Sequence, residues 1–355
     1  MERHDAELAH PIEPPSRGGP GIAVLALLGA SAATCALRHF LRRPAFNLHG
    51  RVVIISGGVR GLGYRLADEC GRRGARLVIF SRTPEEVERA ETALRAEGLT
   101  VLGLRCDVRD PADVNALVSD VMEKYGSVDV LVNNAGVIQA TPFEHAERSD
   151  FVESLETHFW GPLNLTRAAL PHLRQARGRI VNISSIGGRI GVPHLAPYCV
   201  GKFALVGLSE ALRAELAKDD VLVTTATPGL MRTGSHVRAR FRGQHEREAK
   251  WFGLGVATPL TSQQAGRAAR QIVDACVAGR AHVTPGVQAR VAEIVNVVAP
   301  ELTAAISAAV ASYVLPGRST APEGDRARPA HEVGFGWVSP LLPWEAARRN
   351  QEMPI

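Results

Sequence analysis

A tyrosine and a lysine four residues apart could together move a proton. Tyr198 and Lys202 lie in the run 196–216, which is predicted to be a helix, and four residues is about one turn, so both side chains leave the same face. A phenol ordinarily loses its proton at about pH 10, and an ammonium group beside it lowers that pKa. The pair could therefore donate and accept protons near neutrality, although the same spacing also occurs on helix faces that only meet solvent.

A serine hydroxyl precedes this pair by thirteen residues. Ser185 ends the apolar run 179–185, which predicts a buried strand. The carboxyl ends of parallel strands form the ligand-binding edge of open α/β sheets, so the hydroxyl, the phenol and the amine could meet there. Ser184 is the neighbouring candidate, but side chains alternate between the two faces of a strand.

A glycine-rich turn follows the first predicted strand. The strand 51–56 runs into Ser-Gly-Gly-Val-Arg-Gly-Leu-Gly at 56–63, and an amphipathic helix is predicted over 62–73. Glycine allows a tight turn and a close backbone approach to a pyrophosphate, which binds at the N-terminus of the following helix. A glycine pattern alone is weak evidence, but this one has the strand and helix that the motif requires. The candidate cofactor contacts here are Ser56, Gly57, Arg60, Gly61, Leu62 and Gly63.

These features, with Asn-Asn-Ala-Gly at 133–136 after the fourth predicted strand, resemble the short-chain dehydrogenase/reductase family over roughly residues 48–285. The resemblance implies an α/β fold, a three-layer doubly wound parallel sheet of the Rossmann type. It also implies reversible hydride transfer between a nicotinamide cofactor and a carbonyl or alcohol carbon. Ser185 would hydrogen-bond the substrate oxygen and Tyr198 would transfer its proton. Lys202 would lower the pKa of the tyrosine and hold the nicotinamide ribose.

The resemblance also implies further cofactor contacts. They are Asp107 and Val108 at the adenine, Asn134, Ala135 and Gly136 where the backbone passes close to the cofactor, and Pro228, Gly229 and Thr233 beside the nicotinamide carboxamide. Small residues permit such a close approach. Asp107 could instead cap the helix that follows it, because Asp also begins helices well.

Charge at the end of the second predicted strand favours NADP(H) over NAD(H). An NAD-preferring enzyme usually has an acid here, which accepts a hydrogen bond from the ribose 2′-hydroxyl. Ser81 occupies that place, Arg82 is adjacent, and Arg60 of the glycine turn can reach the same region. Two cations without an acid suit a 2′-phosphate, unless both arginines are only solvated.

One position departs from the family pattern. Members usually carry an asparagine three residues before the glycine that stands here at Gly161, and its side chain helps to hold a water in the proton relay. His158 occupies that position, within a long helix predicted over 148–174. Imidazole also donates and accepts hydrogen bonds and titrates near neutrality, so His158 is a candidate catalytic residue. Alternatively, it only packs, or the alignment is off by one.

Composition limits the remaining functions. The chain has 355 residues, of which 45% are hydrophobic, and a net charge of +5, which suits one large α/β domain with extensions. No nucleic-acid motif accompanies the basic excess, so no nucleic acid is expected as a partner. The twelve histidines and five cysteines show no metal-ligand spacing, so no metal is expected.

The chain is predicted to divide into five segments. Residues 1–20 are polar and proline-rich, which predicts disorder, and 21–43 would be a hydrophobic membrane-anchor helix, because 21–37 carry no charge. A cleaved signal peptide and a surface-buried helix are the alternatives. The arginines that close this run would place the following domain in the cytoplasm. Residues 44–290 would form the catalytic domain, 291–316 an apolar helical extension and 317–355 a flexible tail.

We therefore expect a membrane-anchored NADP(H)-dependent oxidoreductase that faces the cytoplasm and acts on a small-molecule carbonyl or secondary alcohol. Trp251, Phe252 and Leu254, in a predicted substrate lid at 232–255, suggest a lipophilic substrate. The arginines of that lid could meet lipid phosphates or only solvent. The resemblance implies a homodimer or homotetramer through the helices 148–174 and 196–217. The alternative function is a non-catalytic membrane scaffold that senses NADP(H).

Overall fold

The computed structural model describes residues 46–317 and 326–353. The predicted disorder of residues 1–20 and the predicted membrane-anchor helix at 21–43 lie outside these ranges. None of the helices within the two ranges combines the length and the apolar character that crossing a bilayer requires.

Strands and helices alternate along the first two thirds of the chain. The strands are β1 (Val52–Ser56), β2 (Arg76–Ser81), β3 (Val101–Arg105), β4 (Val130–Asn133), β5 (Gln139–Ala140), β6 (Arg179–Ile183), β7 (Leu222–Ala226), β8 (Leu230–Arg232), β9 (Arg240–Phe241), β10 (Ser262–Gln264), β11 (His282–Val283) and β12 (Arg328–Pro329). The helices are α1 (Gly61–Arg72), α2 (Pro84–Ala96), α3 (Pro111–Tyr125), α4 (Arg148–Leu155), α5 (Gly161–Ala176), α6 (Ala196–Glu215), α7 (His245–Ala257), α8 (Ala265–Val277), α9 (Val287–Val298), α10 (Pro300–Tyr313), α11 (Ala330–Val333) and α12 (Trp344–Arg349).

Seven parallel strands form the central sheet, in the order β3-β2-β1-β4-β6-β7-β11. The apolar runs of the central strands reflect burial on both faces. In β1, Val53 and Ile55 enter a core with α1, α2 and α8, whereas Val52 and Ile54 enter a second core with α3 and α5, as the two-residue period of a strand requires. The result is the expected three-layer Rossmann-like α/β fold. Strand order reverses between β1 and β4, which opens a crevice at the carboxyl ends of the strands.

The single helix predicted over 148–174 is interrupted. Helix α4 ends at Leu155, the residues Glu156–Trp160 form one π-helical turn, and α5 begins at Gly161. Pro162 has no N–H to donate to the carbonyl group four residues earlier, so a regular α-helical hydrogen bond cannot form there. Isolated π-helical turns are frequent at functional sites, and this one carries His158.

The C-terminal part of the chain is more ordered than its composition predicts. The helical extension expected at 291–316 is the pair α9 and α10, which meet at Ala299 and Pro300. The predicted flexible tail at 317–355 contains β12, α11, a 3₁₀ turn (Gly336–Leu341) and α12. Buried apolar side chains hold this tail in a third core with β5, β9 and α7; its members include Phe241, Phe252, Phe335, Val338 and Leu342. The proline and glycine content obscured these apolar anchors.

The apolar lid residues do not line a substrate pocket. Phe252 is buried in the third core, and Trp251 packs beside it with its indole N–H donating to the carboxylate of Glu248 at 2.6 Å. Leu254 is exposed on the outer side of α7. The argument for a lipophilic substrate from these three residues is therefore wrong, because they stabilise the lid itself.

The cations of the lid are mostly held by acids of the same chain. Arg240 pairs with Glu153, and Arg242 reaches both Glu147 and Asp150 at 3.2 Å. These ion pairs join the segment around β9 to α4 and its N-cap, so the basic run fastens the lid to the body of the domain.

Candidate active site

One cleft collects nearly all the predicted site residues. It has a volume of about 550 Å³ and lies at the carboxyl ends of the sheet strands. Its lining includes the predicted residues Gly57, Arg60, Gly61, Leu62, Gly63, Ser81, Arg82, Asp107, Val108, Asn134, Ala135, Gly136, His158, Ser185, Tyr198, Lys202, Pro228, Gly229 and Thr233. The topology thus brings together segments that are up to 176 positions apart in sequence, from Gly57 to Thr233.

Ser56 is the predicted site residue that does not line the cleft. Its hydroxyl oxygen accepts hydrogen bonds from the backbone N–H groups of Asn134 at 2.8 Å and Ala135 at 3.0 Å. The Asn134 side chain returns hydrogen bonds to the carbonyl oxygens of Ser56 and Gly57. Ser56 therefore holds the glycine turn and the segment at 134–136 together.

Glycine is required where these segments touch. A β-carbon at position 63 would collide with the carbonyl oxygen of Gly57 and with the Asn134 amide. Gly57 itself has a φ of 61°, in the left-handed region that favours glycine. The close packing leaves the N-terminus of α1 facing the cleft, where a helix favours anionic groups.

Ser185, Tyr198 and Lys202 converge at the end of β6. Ser185 caps the 3₁₀ turn Ile186–Gly188, its hydroxyl accepting from the N–H of Gly187 at 3.1 Å, and it lines the cleft together with Tyr198. The Lys202 Nζ donates to the carbonyl oxygen of Ile183 at 2.9 Å and lies 5.7 Å from the centre of the Tyr198 ring. A hydroxyl, a phenol and an amine thus line the same cleft.

The neighbouring serine has a different role. The Ser184 hydroxyl donates to the backbone carbonyl oxygen of Lys202 at 2.9 Å and is buried. It therefore braces α6 against β6, and Ser185 is the hydroxyl associated with the tyrosine.

Burial sets the protonation states of this group. Withdrawal from water raises the pKa of Tyr198 to about 12, and this outweighs the hydrogen bond from Ser185, which lowers it. Burial also lowers the pKa of Lys202 to about 7. Burial, rather than the amine of Lys202, is therefore the largest influence on the pKa of Tyr198. An amine with a pKa of about 7 carries only part of its charge near neutrality, and Nζ donates to Ile183.

His158 lines the same cleft. Its Nε2 accepts from the N–H of Val137 at 3.2 Å, so Nδ1 carries the proton and donates to Ser154 at 3.1 Å. Burial, followed by the charge of Lys202, keeps the pKa of His158 well below its ordinary value. The ring is therefore neutral with both nitrogens engaged, and it packs edge-on against Tyr198, with 5.4 Å between ring centroids.

The opposite end of the cleft contains acids that the sequence argument missed. Arg60 donates to Glu352 at 2.9 Å and lies 3.7 Å from Glu86, which also pairs with Arg238 at 2.9 Å. The interpretation of two cations without an acid is therefore incomplete. Glu352 is 292 positions from Arg60 in sequence, so no local pattern signals the contact.

Asp107 lies at the rim of the cleft. Arg109 binds its carboxylate with three contacts of 2.6–3.1 Å. Burial raises the pKa of Asp107, but the hydrogen bonds from Arg109 outweigh it and hold the pKa below its usual value. The helix-cap alternative for this residue is wrong, because Asp110 caps α3 through the N–H of Ala112.

The sequence has relatives among known proteins. A family model described as short chain dehydrogenase matches residues 51–242. The chain belongs to the short-chain dehydrogenase family. It is therefore an oxidoreductase of a family that acts on CH–OH and C=O groups.

An 11-beta-hydroxysteroid dehydrogenase 1A from Arabidopsis thaliana is 34% identical over 262 residues, which cover 72% of this chain and 74% of that one. A putative ketoacyl reductase from Streptomyces coelicolor is 37% identical over 187 residues, 51% of this chain and 71% of that one.

Solved structures agree with the fold. A variant of actinorhodin polyketide ketoreductase with NADPH matches with a TM-score of 0.60 and 30% identity, over 66% of this chain and 95% of that one. An L-sorbose reductase from Gluconobacter frateurii, complexed with NADPH and L-sorbose, matches with a TM-score of 0.61 and 25% identity, over 69% of this chain and 99% of that one. Both leave about a third of this chain unmatched.

The contacts of His158 predict that an asparagine can replace it. His158→Asn keeps a side chain that can accept from the Val137 N–H, so turnover should stay within about tenfold of wild type. Loss of a group that itself transfers a proton costs roughly 10²–10⁴-fold. Steady-state kinetics with NADPH decide between these cases, with His172→Asn on the far side of the domain as the control. Complete inactivation of a folded His158→Asn protein would show that the imidazole has its own chemical role.

Proposed function

We propose that this protein is an NADP(H)-dependent oxidoreductase that transfers a hydride between the nicotinamide and a carbonyl or secondary alcohol. The observation that carries the proposal is the convergence of Ser185, Tyr198 and Lys202 in the cleft that also contains the glycine-rich turn. Each of these features is common alone, but a proton donor beside a phosphate-binding helix N-terminus fits dinucleotide chemistry.

The lining of the cleft fits a phosphorylated dinucleotide. The close contact between Gly57 and Gly63 leaves backbone at the helix N-terminus where a side chain would otherwise stand, and such a turn accepts a pyrophosphate. Arg60 and Arg82 are the groups that would hold a 2′-phosphate, and Asp107 with Val108 would border the adenine. Two structural relatives contain NADPH, which supports the same cofactor here.

In this mechanism the protein manages the proton. NADPH, when bound, supplies the hydride. Ser185 hydrogen-bonds the substrate oxygen, and the Tyr198 phenol donates its proton to that oxygen as negative charge develops on it. Lys202 holds the ribose hydroxyls. A phenol with a pKa of about 12 is protonated at neutral pH, and this is the form that donates to a carbonyl oxygen during reduction.

The substrate class is a small carbonyl compound, and a lipophilic one is our proposal. The hydroxysteroid dehydrogenase and ketoacyl reductase relatives are named for lipophilic or acyl substrates, which supports it. L-sorbose reductase is a polar counterexample on the same fold. A screen of steroid, acyl and sugar ketones, followed by NADPH oxidation, tests the choice; turnover confined to sugars would reject it.

Membrane association and self-association complete the proposal. Residues 21–37 would anchor the chain with its catalytic domain in the cytoplasm. Recovery of the intact chain wholly in the soluble fraction would contradict this.

Exposed Val152, Val200 and Phe203 on α4 and α6 support a homodimer or homotetramer through these helices. A monomer mass in light scattering would contradict self-association.

Replacing the proposed proton donor separates catalysis from cofactor binding. Tyr198→Phe should lower turnover by roughly 10²–10⁴-fold, because a general acid contributes that much, while the affinity for NADPH stays close to that of wild type. Stopped-flow NADPH oxidation and calorimetric binding measure the two quantities. Tyr125→Phe is the matched control, since Tyr125 packs against Arg76 outside the cleft.

The same variant tests the alternative of a non-catalytic NADP(H) sensor. A sensor would bind NADPH and show no carbonyl turnover in wild type, so Tyr198→Phe would change nothing. An enzyme would lose turnover and keep binding. Equal turnover in Tyr198→Phe and Tyr125→Phe would reject the assignment of Tyr198.

Cofactor preference tests the assignment of the arginines. NADPH should bind more tightly than NADH, and Arg82→Ala should reduce that preference by on the order of tenfold, the effect of losing one charge-assisted hydrogen bond to phosphate. Arg95→Ala removes an exposed arginine of α2 that does not line the cleft, and should leave the ratio unchanged. Tighter binding of NADH by wild type would overturn the NADP(H) preference.

A further inference from the structure

The segment after α12 occupies the N-terminus of α1. The N–H of Gly61, the first residue of α1, donates to the carbonyl oxygen of Asn350 at 2.7 Å. The carboxylate of Glu352 lies directly over Gly61 and accepts from Arg60 at 2.9 Å. A carbonyl oxygen and a carboxylate therefore meet the positive end of the helix, where oxygen atoms of a phosphate would bind.

This contact is built into the fold at several points. Arg65 of α1 donates to the Asn350 side chain at 2.6 Å and to the Arg349 carbonyl oxygen at 2.7 Å, and Arg89 donates to the Gln351 carbonyl oxygen at 3.0 Å. Glu352 itself is 2% exposed. Arginines from α1 and α2 thus hold the backbone of the segment, in addition to the Glu352 ion pair.

The segment is joined to the lid as well. The Asn350 amide donates to the Thr233 carbonyl oxygen at 2.9 Å, and a β-carbon at Gly234 would collide with Ala347. His236, in the 3₁₀ turn Ser235–Arg238, lies between Phe335 and Trp344, with both centroid distances 5.3 Å. Its buried ring has no hydrogen-bond partner among the described residues, so it acts there as an apolar contact.

The same groups cannot serve the segment and a dinucleotide together. Arg60 and the N-terminus of α1 are the parts of the proposed cofactor site that attract anions, and Glu352 is also an anion. Two negative groups in one partly dehydrated site repel each other strongly. Burial already raises the pKa of Glu352, although Arg60 and Arg238 oppose this. A bound phosphate would therefore displace the carboxylate.

We propose that residues 344–352 form a latch that occupies the phosphate-binding part of the cofactor site and must leave before NADP(H) binds. The proposal rests on the proposed function, because it takes the dinucleotide as the competing ligand. Residues 335–342 remain anchored in the third core, so release needs to free only α12 and the residues after it. Since this segment also packs on Thr233 and Gly234, its release frees the lid at the same step.

Hydrogen exchange of the full-length wild-type protein tests the displacement directly. On addition of NADPH, backbone amides of residues 344–352 should exchange faster, while those of the glycine turn at 57–63 should exchange more slowly. Trypsin cleavage after Arg348 and Arg349 should accelerate in parallel. Slower exchange in both segments would show that the tail closes over the cofactor, and unchanged exchange at 344–352 would show that it does not move; either result overturns the latch.

A charge-neutral substitution tests the competition. Glu352→Gln removes the anion that faces Arg60 and should tighten NADPH binding by on the order of tenfold, the effect of one charge-assisted hydrogen bond. Glu345→Gln makes the same change on the exposed side of α12, where Glu345 pairs only locally with Arg349, and should bind NADPH as wild type does. Equal or weaker binding by Glu352→Gln overturns the latch.

The outcomes separate the two proposals. If wild type and both variants bind NADPH equally, the dinucleotide site stands and the latch fails. If none of the three binds NADPH, the proposed cofactor site fails, and the latch fails with it. If Glu352→Gln binds tightly and wild type weakly, both proposals are supported.

Discussion

The burial of Lys202 and the partial withdrawal of Tyr198 from water form the constraint on which the chemistry of this protein depends. A helix places the two side chains on one face, and the end of β6 supplies the Ile183 carbonyl oxygen that binds the amine. In this setting burial outweighs the attraction between neighbouring groups, so the phenol keeps its proton and the amine gives up part of its charge. The protonated phenol is the form that would donate to an oxygen on which negative charge develops.

The rest of the domain places this donor beside an anion-binding helix end. The reversal of strand order beside β1 opens the crevice, and Ser56 fixes the glycine turn to the segment 134–136 at the correct distance. The tail adds a second level of control, because its carboxylate stands where a phosphate would bind. An enzyme assembled in this way would couple cofactor binding to movement of the lid, since the cofactor site and the lid both contact residues 344–352.

Features encoded locally were predictable from the sequence. The sheet strands, the glycine turn and the group of Ser185, Tyr198 and Lys202 each depend on short spacings, so their positions in the structure match the expectation closely. His158 was placed correctly, but the engagement of both its nitrogens depends on Val137 and Ser154. The π-helical turn ends two residues before Pro162, whose missing N–H is a signal that a pattern of apolar periodicity does not register. The contacts of Glu352 and the packing of the third core join segments that are distant in sequence, and no local pattern records them.

The central claim is that Tyr198 is a half-buried phenol whose pKa is raised, and its ultraviolet titration tests this most directly. The absorption change of phenolate formation in the cofactor-free wild type, minus that of Tyr198→Phe, isolates this residue from the other tyrosines among the four in the chain. The account predicts no ionisation of Tyr198 up to about pH 10, where an ordinary tyrosine is half ionised. A midpoint between roughly pH 7 and 9 would contradict it, and would show that the ammonium group of Lys202 governs the phenol.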